Sequence, residues 1–262
     1  MLSTYAKAAV KLVPLVGGGD SLPDDELEET ASVDRSRLSA YQRVCGFGVS
    51  DVLPATYPHM LAFPLSMDLM TRLSFPFGVI GLVHVENEIE QVRPIRADET
   101  LHVRVRTADL RDHERGRQFD VLASASAGDD EVWRSRSTYL RIERKGSASD
   151  KRSDPPAPSA IWNVPGDQGR RYAAVSGDNN PIHLYPLTAR LLGFSRPIAH
   201  GMWVKARCLA ALDAHLPDAF TVNVRFKLPM LLPAKVAFAS DTRSFSVHDA
   251  RSGKPHVSGT VS

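Results

Sequence analysis

Two short segments of this 262-residue chain concentrate the residue types that move protons: residues 172–183 read YAAVSGDNNPIH and residues 199–202 read AHGM. Asp178 and His183 lie five residues apart across a bend that Pro181 stiffens, so both side chains can reach one cleft and hold a single water between them. An imidazole with an ordinary pKa of about 6.5 takes and gives protons near neutrality, while a carboxylate beside it orients water. The combination is an acid/base couple. Gly201 adds a second element, because the first N–H groups of a helix lack intrahelical partners and sit at its positive end, where they can stabilise an oxyanion. Taken singly, an Asp and a His in a loop read as a cap and a surface histidine, and a glycine at a helix start as an ordinary start. Their conjunction gives the spacing its meaning.

The elements that must position these residues follow from the surrounding pattern. Gly177 suits the left-handed end of a helix over residues 170–176, leaving Asp178 and Asn179 in a sharp loop. Residues 201–215 form an apolar helix that wants burial on most sides, with Met202, Ala206 and Leu209 on one face. Residues 221–227, 235–240 and 242–248 alternate as strands, so a central helix wrapped by a curled antiparallel sheet satisfies the whole stretch. Arg225 and Lys227 share a strand face, where they could meet phosphate groups or serve as an ordinary solvated edge. Ser176 lies in VSGDN rather than a GxSxG elbow, and Cys45 and Cys208 read as small core residues. His183 and His200 lack a metal-binding spacing, so no metal is expected.

With 43% hydrophobic and 24% charged residues, the chain has material for one or two cores and is no disordered segment. A net charge of +2 argues against a counterion-driven nucleic-acid binder. Residues 161–262 nevertheless carry 12 Lys plus Arg against 6 acids, which suits a small phosphorylated ligand. Two distant cysteines exclude a disulfide scaffold and point to the cytoplasm. No apolar run reaches membrane-spanning length, and residues 1–15 read as a short amphipathic element.

Residues 144–159, RKGSASDKRSDPPAPS, look like a linker between a first half (1–143) and a second half (160–262). The halves carry a weak internal repeat. An offset of 135 lays residues 85–103 on 220–238, matching Pro94 with Pro229, and Met67 on Met202; an offset of 131 lays Tyr41, Cys45 and Gly46 on Tyr172, Ser176 and Gly177. At that second offset Phe47 replaces Asp178 and Val52 replaces His183, so the first half lacks the couple. It is expected to serve as a wall or tunnel for the ligand, with residues 64–77 as its counterpart of the central helix, made irregular by Pro76.

The run YAAVSGDNNPIH followed by GFSRPIAHGM resembles the signature of the MaoC-like, R-specific enoyl-thioester hydratases, GDxNPxH with a downstream AHGM, closely over about 30 residues and more loosely across residues 170–262. That resemblance implies an α+β double hot-dog fold with one catalytic half. It implies that Asp178 and His183 activate the water, that the Gly201 N–H binds the thioester oxygen, and that Asn180 braces the loop with Tyr172 and His200 in support. The implied substrate is a trans-2-enoyl thioester of coenzyme A or of acyl carrier protein, with no further cofactor, and the chain could stand as a monomer or homodimer. A hot-dog thioesterase and a non-catalytic acyl-thioester binding subunit are the competing readings.

Overall fold

The structure is a computed structural model that describes residues 21–79, 81–144, 155–241 and 243–262. The amphipathic element expected at residues 1–15 lies outside the described residues, as does most of the linker.

Ten antiparallel strands form one continuous sheet in the order β1-β3-β4-β5-β2-β7-β10-β9-β8-β6. In chain order these are β1 Glu26–Ala31, β2 Leu82–Gln91, β3 Leu101–His113, β4 Gly116–Ala127, β5 Asp130–Ile142, β6 Ala160–Val164, β7 Phe220–Phe226, β8 Ala234–Ser240, β9 Ser244–Asp249 and β10 Pro255–Val261. The order is a palindrome: replacing each strand of the first half by its counterpart in the second reproduces it backwards. Where the halves meet, β2 pairs with β7 and Glu88 lies opposite Asn223. Those two residues are 135 apart, the offset of the sequence repeat, so a pseudo-twofold axis passes through that pair.

Each half wraps its sheet around an apolar helix. In the first half this is α2 (Tyr57–Thr71), preceded by α1 (Arg35–Cys45); in the second it is α5 (Gly201–Leu212), preceded by α3 (Gln168–Ser176) and a short α4 (Pro186–Leu191). The Asp34 carboxylate starts α1 by accepting from the N–H groups of Ser36 and Arg37. Gly46 and Gly177 end α1 and α3 with φ of 86° and 82°, a left-handed geometry in which a side chain is strained. Strand alternation supplies the inner walls: Val103 and Val105 of β3, and Val222 and Val224 of β7, are fully enclosed.

The first-half helix differs from expectation. It begins at Tyr57 and ends at Thr71, so Pro64 lies inside it and Pro76 outside. Pro58 occupies its first turn, where no amide donor is needed, and the buried side chains of Met60, Met67 and Leu69 hold the helix together across Pro64.

The seam contains a buried lysine. Lys205 of α5 donates to the carbonyls of Asn87 and Val222 at 3.0 and 3.1 Å and to Asn87 Oδ1 at 2.6 Å. Asn87 and Val222 are themselves 135 apart, so the ammonium spans the pseudo-axis. Asn87 Nδ2 donates onward to the hydroxyls of Ser135 and Ser137.

Candidate active site

Helix α3 delivers the site. The Gly177 N–H closes the helix on the Ala173 carbonyl at 2.9 Å, and the chain turns sharply. Ser176 Oγ accepts from the Asp178 N–H at 3.1 Å, Asp178 Oδ1 accepts from the Asn180 N–H at 3.1 Å, and Asn180 Oδ1 accepts from the Ile182 N–H at 3.3 Å. This relay of side-chain acceptors satisfies the loop's amides where neither helix nor sheet could, and ends in one turn of 3-10 helix over Pro181–His183. From behind, Thr188 of α4 donates to the Pro181 carbonyl at 2.7 Å.

His183 is buried, and its Nδ1 lies 2.8 Å from the Ile198 carbonyl. A carbonyl only accepts, so the proton sits on Nδ1 and Nε2 keeps its lone pair for a substrate proton. Burial lowers the His183 pKa, opposed by the nearby Asp178 charge, which favours the neutral ring. The His200 ring stacks on His183 with centroids 3.6 Å apart and packs on its other side near Tyr172 at 4.9 Å. His200 Nε2 donates to the Asp178 backbone carbonyl at 3.0 Å and lies 3.8 Å from its carboxylate. Burial and the neighbouring His183 push His200 down to about 3, so this contact is a hydrogen bond from a neutral ring and not an ion pair.

One carboxylate oxygen of Asp178 and one ring nitrogen each of His183 and His200 lie within 4.8 Å of one another. Two groups that each hydrogen-bond one water at about 2.8 Å stand no more than twice that distance apart, so the separation of Asp178 and His183 is within the range that one shared water bridges. The trio also offers metal-ligand atoms. The two imidazole planes, however, lie face to face at 28° and 3.6 Å, so their in-plane lone pairs run side by side and do not converge on one ion.

Gly201 opens α5, with His200 as its N-cap. A Cβ at 201 would stand 2.9 Å from the Phe226 ring, so only glycine lets this ring lie against the helix start. Phe226 in turn contacts His84 of β2 at 4.9 Å between centroids, and His84 stacks on Tyr139 of β5 at 4.6 Å. His59 and His84 keep accessible surface, yet burial drives their pKa values to about 4 and about 3. Burial raises the Tyr139 pKa and the Asp178 charge adds to it, while Asp178 also acts on both imidazoles, so these first-half side chains lie within reach of the carboxylate's field.

The structure therefore brings together Asp178, His183, Asn180, Tyr172, His200 and Gly201, but not Arg225 and Lys227. In β7, Val222 and Val224 point inward, and Arg225, exposed and 3.9 Å from Glu86, projects from the opposite face; Lys227 is also exposed. The alternation that gave these cations a common face made it the outer one.

Three positioning residues were missed. Arg37 of α1 donates to the carbonyls of Val175 and Ser176 at 2.9 and 3.4 Å, tying the end of α3 to the first half. Trp203 Nε1 reaches the Val44 carbonyl at 3.0 Å in the same way. Gly169 packs so closely that a Cβ would fall 1.9 Å from the His183 carbonyl. The first two act over long sequence separations that no local pattern reveals; a glycine one residue into a helix was the one available signal.

A helix-wrapped antiparallel sheet in two fused copies, with an acid/base couple opposite a glycine helix start in one of them, defines a double hot-dog protein of the hydratase type. The comparisons agree. The MaoC like domain family matches residues 148–254. The chain is 37% identical to 3-hydroxyacyl-thioester dehydratase X of Mycobacterium tuberculosis over 271 residues, covering 99% of this chain and 97% of the relative. An (R)-specific enoyl-CoA hydratase of Aeromonas caviae is 34% identical over 88 residues, which cover 32% of this chain and 62% of that protein. The crystal structure of the M. tuberculosis dehydratase superposes with a TM-score of 0.81 over 90% of this chain and 99% of that one. The chain belongs to the MaoC-like dehydratases, which are lyases.

Proposed function

We propose that Asp178, His183 and Gly201 carry out the reversible hydration of trans-2-enoyl thioesters to R-3-hydroxyacyl thioesters. The observation that carries this assignment is the approach of the Asp178 carboxylate and the His183 imidazole to within 4.8 Å, beside the start of α5. In the hydration direction the couple holds one water; its oxygen forms a bond to C3 as one proton leaves for the couple, and the electron pair of the C2–C3 double bond shifts toward the thioester carbonyl. The Gly201 N–H receives that charge, a contribution of about 3 kcal/mol for one preorganised donor. A proton then returns to C2. Dehydration reverses each step. The addition is redox-neutral, so the scheme calls on no electron carrier and routes nothing through a metal.

The acyl chain runs into the first half. An aromatic row leads away from the site through His84, Tyr139, Phe119 and Phe77, with successive centroids 4.6, 5.7 and 5.8 Å apart. It begins with polar rings and becomes apolar, which suits medium or long chains over four-carbon ones. Among the described residues no helix is long and apolar enough to cross a membrane, and both cysteines are free and buried. The reading places the protein in the cytoplasm, as an enzyme of fatty-acid metabolism acting on coenzyme A or carrier-protein thioesters.

The test is a hydration assay on crotonyl and longer enoyl thioesters with chiral analysis of the product. Loss of enoyl absorbance with an R product supports the assignment; release of free thiol identifies a thioesterase instead. Asp178→Asn lowers turnover by about 10² to 10⁴, the usual share of general acid/base help, without a change in melting temperature.

A further inference from the structure

Helix α4 has no counterpart in the first half, and its outer surface gathers large apolar side chains in solvent. Leu187 and Leu191, four residues apart and therefore on one face, are 70% and 78% exposed, and Tyr185 beside them is 54% exposed. No other exposed large apolar side chain among the described residues exceeds these two leucines. Burying them would gain free energy, and nothing described in the chain does so.

The rim of this patch is basic. The Arg170 guanidinium lies over the Tyr185 ring at 5.4 Å and donates to the Leu184 carbonyl at 3.1 Å. Arg190 and Arg196 reach only the carbonyls of Ser195 and Pro233, each at 3.4 Å. Among the described residues, none of these three arginines has a carboxylate partner, whereas Arg171 on the same helix as Arg170 pairs with Asp167 at 2.9 Å. From residue 168 to residue 200 the only acid is the catalytic Asp178. The patch also sits directly on the catalytic turn, since Tyr185 follows His183 by two residues and Thr188 holds the Pro181 carbonyl.

We infer that the α4 patch docks an acidic carrier protein that bears the acyl thioester on a flexible arm. The inference rests on the hydratase reading and deepens it by naming the partner. Unpaired arginines around leucines are complementary to a helix of mixed acidic and apolar character, and a soluble nucleotide would leave both leucines in water. The location fits as well: a partner seated on α4 places the mouth of its arm beside the loop that holds Asp178 and His183.

The experiment compares one acyl group on two carriers, as its acyl carrier protein thioester and as its coenzyme A thioester. Leu187→Ser with Leu191→Ser, and separately Arg190→Glu, should each lower kcat/KM for the carrier-protein thioester on the order of tenfold, mainly through KM. Turnover of the coenzyme A thioester and the melting temperature should stay unchanged, and raising ionic strength should weaken only the carrier-protein reaction. Equal losses on both thioesters, or no loss on either, would overturn the docking site. So would a parent protein that turns over the coenzyme A thioester alone, or a parent dimer that the leucine variants dissociate. A parent inactive on both substrates would defeat the hydratase reading itself.

Discussion

The two halves of the molecule share a framework down to single hydrogen bonds; the first half has the longer strands β3, β4 and β5, and the second half has an inserted segment at the site. In the second half the Leu232 N–H donates to the Pro197 carbonyl and the Ala199 N–H to the Met230 carbonyl; in the first half the Ala97 N–H donates to Asp51 and the Leu53 N–H to Ile95. Isolated bridges Val52–Arg96 and Ile198–Leu231 repeat the match. These pairs put Asp51 and Leu53 opposite Pro197 and Ala199, an offset of 146, whereas the glycines that end α1 and α3 are offset by 131. The second half therefore carries fifteen more residues between its glycine and its bridge, and they include the catalytic turn and α4.

This changes the reading of the first half. Val52 does not take the place of His183; it takes the place of Ile198, and the chain that would present an acid and a base is missing altogether. At the same offset Pro54 stands for His200 and Ala55 for Gly201, so the glycine helix start is lost too. A fold can keep its sheet, its buried helix and its left-handed cap while discarding chemistry, because the chemistry sits on a loop that the framework tolerates losing.

The largest effect is expected from disturbing how the inserted segment packs. Gly169→Ala drives a methyl group into the His183 carbonyl, and turnover should fall by at least the 10² that general acid/base help supplies. Circular dichroism should show the sheet intact. An unchanged rate would mean that the loop's position is not what α3 fixes.

Next comes the axis. Lys205→Met strips hydrogen bonds from the carbonyls of Asn87 and Val222 and from Asn87 Oδ1, with a cost of about 1 to 3 kcal/mol for the buried Oδ1 left unpaired. Urea unfolding measures it. At offset 146 the residue matching Lys205 is His59, so the comparison sharpens if His59→Ala costs less.

Acid sensitivity should follow the buried imidazoles. His59, His84 and His200 are held at about 4, 3 and 3 by burial, while the unfolded chain takes up protons below about 6.5. Between those limits the unfolded state binds more protons, so stability rises with pH; the contribution is complete above pH 6.5 and is lost as pH falls toward 3. Each ring contributes about 1.4 kcal/mol per pH unit within that window. Melting temperatures between pH 7 and pH 5 should fall, and His200→Gln should flatten the slope. A flat profile would show that these rings are already charged.

The smallest effect should be none at all. Phe47→Asp with Val52→His restores the missing residue types to the first half but not the missing chain. An otherwise wild-type protein so altered should show no added turnover. A gain would mean that side-chain identity alone separated the halves.

The sheet was legible because its register is constrained. Strands β2 and β7 meet on the pseudo-axis, where a slip of one residue would turn every buried side chain outward, so the offset of 135 survives in Pro94, Pro229, Glu88 and Asn223. The catalytic loop was legible because each residue type in it has a distinct duty, from the left-handed Gly177 to the acceptor Asn180. The first-half helix was misplaced because offset 135 was carried upstream through Met67 and Met202, across a loop whose length is free to change. Arg225 and Lys227 share a face as the alternation implied, and the buried Val222 and Val224, in step with Phe226, mark the opposite face as the inner one. Arg37 and Trp203 left no local trace, since each acts on a partner more than a hundred residues away.

The central claim is that Asp178 and His183 serve one water, and a double-mutant cycle on hydration of an enoyl thioester tests it most directly. If they act as a unit, Asp178→Asn combined with His183→Ala should be hardly slower than the slower single variant, because either change already removes the shared water. If the two losses multiply, the carboxylate and the imidazole work on separate atoms and the account is wrong.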